Sequence, residues 1–196
     1  MSRVRSRTLK VGALLAALVF ALVAGCAGPQ QSALFVHPNV DFANYQRIAV
    51  LPLENFTSER FAAERVREIL NVEFNAQGLF EVIDNGEVNR VLRTQNVVNV
   101  AELGPKESGD LGRALGAQAL VLGSVMEFQE HRTGTITTPD IALSLRMIDA
   151  ESGVPVWAVT GAHSGAKLST RLFGVGEESQ TDAVLRLVRE VLSTLE

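Results

Sequence analysis

Cysteine is nearly absent from this chain of 196 residues: the single one is Cys26. No disulfide can form within the chain and no Cys-based metal site is available, so packing alone must hold the fold. Histidine is almost as scarce. His37, His131 and His163 lie far apart, match no metal-ligand spacing, and are read as solvated loop or strand-edge residues. The sequence contains no Gly-x-Ser-x-Gly elbow, no phosphate-cradling Gly-rich loop ending in Gly-Lys-Ser/Thr, and no His-Glu-x-x-His. Nothing pairs a nucleophile with a base at a recognisable spacing, so the expectation is a non-enzyme without catalytic residues, metal or cofactor. Gly174-Val175-Gly176 opens a loose glycine pattern but sits outside a strand-to-helix turn and reads as a connection. Gly112 and Gly116 have the spacing of a membrane dimer motif, yet their segment is too short and polar to span, so tight packing and a helix stop are expected.

Acids are missing where the chain begins. Residues 1–25 hold Arg3, Arg5, Arg7 and Lys10 and no Asp or Glu, followed by an apolar run from Val11 to Val23. That run has the length of a signal-peptide core and is short for a span of roughly 20 residues. It closes on Leu22-Val23-Ala24-Gly25-Cys26. This order resembles the lipobox of bacterial lipoproteins, which implies that residues 22–25 are read by a dedicated signal peptidase and that Cys26 receives a lipid anchor (diacylglycerol, with palmitate-type chains). Two other readings remain open, a general signal-peptidase cut after Ala27 and an uncleaved anchor from Val11 to Gly28. By the same resemblance, Ala27 in place of Asp sends the protein to the outer membrane, periplasmic side.

Removing the leader removes four of the 18 basic residues and none of the 22 acids, leaving 14 against 22, a net charge of −8. So acidic a chain lacks the basic face that nucleic acid requires. It also lacks a polybasic patch for anionic lipid, so membrane attachment rests on acyl chains. The expected organisation is a leader at 1–25, a lipidated N-terminus and tether at 26–45, and an α/β domain at 46–196. Ala27–Asn44, rich in Pro, Gln, Ser and Asn, reads as tether.

Within the domain, Arg47–Leu53 is an apolar run without polar alternation, suited to a strand covered on both faces. Ser58 is expected to cap a helix from Glu59 to Asn75, with Phe61, Ala62, Val66, Ile69, Leu70 and Phe74 on its inner face and Gly78 as its stop. Leu79–Ile83 reads as a strand, Glu87–Thr94 and Lys106–Leu115 as helices, and Ala119–Val125 as a second fully apolar strand. Gly134–Pro139 is expected to turn, Ile141–Ile148 and Val154–Ala162 to form a late β-hairpin, and Thr181–Leu195 to be the last helix. The prediction is a single α/β domain with a mixed five-stranded sheet and helices packed on it, ending in a C-terminal helix. Trp157 divides between core packing and a partner contact, and so does Phe56 beside Asn55 in the loop after the first strand.

Several phrases together resemble the family of the curli assembly and transport lipoprotein (CsgG-like), which shares its core with the TolB N-terminal domain. They are Arg47–Leu53 with Asn55, Phe80–Asp84, Leu111–Ser124 and Leu143–Trp157. The resemblance implies a scaffold or accessory role in envelope assembly or secretion, with protein partners in the envelope and self-association into a ring. It departs from the curli channel at Phe128–Ile141, read as a brief polar connection, and at Thr160–Leu172, whose outward residues are too weakly apolar for a lipid-facing strand, so no pore is expected. The alternative is a lipoprotein that activates a peptidoglycan synthase (a penicillin-binding protein). Relatives with that role carry a long tether, whereas Cys26 to Arg47 extends only on the order of 65 Å.

Overall fold

The computed structural model describes residues 33–133, 136–165 and 178–195. The leader, the Leu22–Cys26 motif, the Gly174–Gly176 connection and part of the 160–172 segment lie outside them. Among the described residues no helix is long and apolar enough to cross a membrane.

The element order is β1 (Ala33–Val36), β2 (Arg47–Val50), β3 (Glu54–Asn55), α1 (Ala62–Gln77), β4 (Glu81–Val82), α2 (Asn85–Thr94), α3 (Pro105–Leu115), β5 (Ala119–Thr133), β6 (Ile136–Asp149), β7 (Pro155–Ser164) and α4 (Gln180–Leu192). The strands form one mixed sheet in the order β1-β7-β6-β5-β2-β4, with β3 also pairing β5. β2 lies parallel to both β4 and β5, and β3 parallel to β5, while β5, β6, β7 and β1 run antiparallel in turn.

Side chains of successive strand residues point to opposite faces, and here helices cover both. Ile48 and Val50 join Val66, Leu70 and Phe74 of α1 and Leu187 and Val191 of α4 in one core. Ala49 and Leu51 join Val88 of α2, Leu111 of α3, and Leu120 and Leu122 in a second. That two-sided cover is why Arg47–Leu53 shows no alternation, as its composition predicted. The helix stops also fall as expected. Gly78 and Gly116 end α1 and α3 in the left-handed region, at φ 69° and 64°, where a side chain would be strained.

The single-domain α/β reading stands, with the late hairpin and C-terminal helix in place, but the sheet has seven strands rather than five. β1 and β3 span four and two residues, too short to show a period. Ala33–Val36 was expected within the tether; its ladder to β7 draws it into the sheet. The expected turn at Gly134–Pro139 and the polar connection from Phe128 are also replaced. β5 and β6 stay paired from Ala119↔Asp149 out to Thr133↔Ile136. Backbone pairing needs no apolar alternation, which is why Gln129–Arg132 and Thr137–Asp140 gave no strand signal. Finally, α1 begins at Ala62, not after Ser58; Phe61 takes the N-cap position and makes no side-chain capping bond.

Candidate partner-binding surface

The loop from β2 to α1 is shaped by Asn55. Its Oδ1 accepts from the Thr57 amide at 3.0 Å and the Thr57 hydroxyl at 2.8 Å, and its Nδ2 donates to the Glu59 carbonyl at 2.8 Å. The Thr57 hydroxyl in turn accepts from the Glu59 amide at 3.2 Å. These bonds hold residues 55–59 as a local side-chain-to-backbone turn, the competition that Asn and Thr offer to helix. They also explain why the helix starts three residues later than its sequence suggests.

Two aromatic rings are displayed by this turn. The Phe56 amide donates to the Val125 carbonyl at 3.0 Å, continuing the β3–β5 pairing, while its ring keeps 67% of its surface in water. Phe61 is exposed at the mouth of α1, and the Arg60 guanidinium lies 5.4 Å from its ring centroid, in cation–π range. On the adjoining strand the register shifts between Val125 and Glu127, and the bulge leaves Met126 exposed. Phe56 and Met126 are thus exposed apolar side chains at the β3–β5 end of the sheet, and Phe61 is a third at the start of α1. Large exposed aromatics beside Arg and Met are the composition of an interface core. Neither Phe61 nor Met126 was foreseen. Helical spacing assigned Phe61 to the core, and no local signal marked the bulge.

Trp157 does not belong to this surface. It is fully buried in β7, paired to Met147 and Val36 in neighbouring strands, and its indole N–H donates to Thr194 Oγ1 at 2.9 Å. Of the three candidate contacts, the fold brings Asn55 and Phe56 together and takes Trp157 inside.

The histidines also differ from expectation in one case. His163 is buried, with its Nε2 2.8 Å from Glu178, which is also 3.2 Å from Arg186 of α4. His131 faces Asp140 across the β5–β6 hairpin at 3.1 Å. Among the described residues no three His, Cys, Asp or Glu side chains come together as a metal site. A buried cation lies elsewhere, where Arg67 of α1 donates twice to the Val50 carbonyl, at 2.7 and 3.0 Å, and once to Asn89. Burial pulls its guanidinium down to about 10, which leaves it charged at neutral pH. It ties α1 to β2 and α2.

Comparison with known proteins places this architecture. The family described as peptidoglycan-synthase activator LpoB matches residues 32–162, from the start of β1 nearly to the end of β7. Among curated protein sequences none matches the chain. The PelC dodecamer from Paraburkholderia phytofirmans superposes with a TM-score of 0.56 at 19% identity, over 84% of this chain and 96% of that one. A lipoprotein from Neisseria meningitidis superposes with a TM-score of 0.55 at 15% identity, over 76% of this chain and 97% of that one. At such identities the two structures share the fold and nothing finer. The family match overturns the CsgG-like and TolB-like assignment and leaves the secretion role drawn from it without support. The phrases behind that assignment, Arg47–Leu53, Phe80–Asp84, Leu111–Ser124 and Leu143–Trp157, place their buried residues in the strands and helix faces of the two cores, so they report a shared layout rather than a family.

Proposed function

Since the chain belongs to the LpoB family of peptidoglycan-synthase activators, we propose that it activates a penicillin-binding protein of the cell envelope. It does so as a lipid-anchored, non-enzymatic accessory protein. Cys26 carries the lipid, and Ala27 favours the periplasmic side of the outer membrane. The observation that carries this reading is the family match, which reaches every strand of the sheet and includes the Asn55 turn and Met126. The Phe56, Phe61 and Met126 surface supplies the docking face: apolar anchors able to fill a pocket on the synthase, held in place by a turn that is already ordered.

The test is glycan-strand polymerisation by a purified synthase from the same cell, with and without the acyl-free mature protein. Stimulation is expected, together with a severalfold loss for the Phe56→Ala/Phe61→Ala variant. Absence of any stimulation by the wild-type protein refutes the activator reading. Full stimulation by the variant refutes the docking face and leaves the activator role standing. Mass spectrometry of the cellular protein tests the anchor separately, and an unmodified Cys26 would remove it.

A further inference from the structure

Among the described residues β1 is the outermost strand of the sheet, paired to β7 along one side only. All four of its residues are apolar and exposed, and Leu34, Phe35 and Val36 keep 52%, 46% and 39% of their surface. Strand edges are ordinarily guarded by Lys, Pro or a bulge, and the run Ala-Leu-Phe-Val has none of these. Leu34 and Val36 share a face with Val159 and Trp157, and Phe35 shares the other with Ala158. The apolar surface therefore wraps both sides of the edge, next to a row of backbone groups that no other strand among the described residues pairs.

The length of chain leading into this edge indicates what covers it. Ala33 stands seven positions after Cys26, a contour of about 25 Å at full extension. A lipid on Cys26 therefore holds β1 closer to the bilayer, by chain length, than any other element. We infer that β1 is a membrane-contacting edge, with Leu34, Phe35 and Val36 resting in the interfacial layer of the bilayer that anchors Cys26. The inference depends on the lipoprotein reading above. The interface, not the hydrocarbon, is the right depth, because the free N–H and C=O groups of the edge keep water and headgroup partners there and would be orphaned deeper. No charged residue lies within the strand, so the attraction is apolar and does not require anionic lipid. The contact fixes one edge of the sheet against the membrane, with β4 as the opposite edge.

The experiment couples mature protein (residues 26–196) through Cys26 to a maleimide lipid in phosphatidylcholine vesicles with brominated acyl chains. Coupling through the thiol makes the result independent of whether a cell acylates Cys26, so failure here and failure of the lipoprotein reading are separate outcomes. Tryptophan is introduced by Phe35→Trp in one variant and, next to the opposite edge, by Leu79→Trp in another. Buried Trp157 gives the same background in both. Emission from the Phe35→Trp protein is expected to shift to the blue and to be quenched severalfold more by bromine than that of the Leu79→Trp protein. Adding Leu34→Asp and Val36→Asp should abolish the difference. Equal quenching at the two edges overturns the inference. A blue shift that grows with protein density without bromine quenching also overturns it, and assigns the edge to a second copy of the chain.

Discussion

Replacing Trp157 by Phe separates core packing from partner contact at the only tryptophan in the chain. The side chain is fully buried, and its indole N–H reaches Thr194 Oγ1 at 2.9 Å, joining β7 to the turn after α4. Two costs follow. The lost hydrogen bond is worth about 1 kcal/mol net. The smaller ring vacates about 40 Å³, which at roughly 24 cal/mol per Å³ adds about 1 kcal/mol. Trp157→Phe should therefore lose about 2 kcal/mol of unfolding free energy in urea titration. Thr194→Val removes the acceptor and also the bond its hydroxyl donates to the Val191 carbonyl at 2.6 Å, and should cost about 1–2 kcal/mol when Trp157 is present. In the Trp157→Phe background the indole's share of that cost should vanish, so the double-mutant cycle should show coupling of about 1 kcal/mol. Folded Trp157→Phe protein should stimulate the synthase as the wild type does. Additive effects in the cycle would refute the hydrogen bond as a stabilising contact. Lost stimulation with the fold intact would refute the assignment of Trp157 to the core and return it to the interface.

Phe56→Ala should leave the unfolding free energy from urea titration within about 0.5 kcal/mol of wild type, because the ring gives up little burial, while lowering synthase affinity in a pull-down titration. Arg67→Met should cost about 1–3 kcal/mol by leaving the Val50 carbonyl without its donors, and Arg67→Lys should restore little, since one ammonium cannot reproduce the fork to Val50 and Asn89. Tyr45 is the only tyrosine, so absorbance at alkaline pH follows it alone. Partial burial first, and then the charge and hydrogen bond of Asp149, raise its phenol above 10.0. The folded state holds that proton longer than the unfolded chain does. Its contribution to stability is therefore complete below pH 10 and is lost as pH rises through the folded value. Asp149→Asn should lower the transition only in part, because the larger cause, burial, remains.

How much of this protein could be read from residues alone depends on the range of the interaction. Apolar runs and helical periods are local, and they located β2, the start of β5, the late hairpin and the four helices of the described residues. The stops at Gly78 and Gly116 were equally legible, because a left-handed residue is a property of one position. The scarcity of Cys and His, the acidic balance and the leader pattern ending in Cys26 narrowed the function by chemistry that needs no fold. The short strands β1 and β3 and the polar outer half of the β5–β6 hairpin exist because neighbouring backbone supplies hydrogen-bond partners, and a partner strand is not written beside the residues it pairs. Phe56, Phe61 and Trp157 make the same point. Each is a large aromatic near a strand or helix end, and only the assembled sheet, the Asn55 turn and the position of Thr194 decide which two face water and which one is buried.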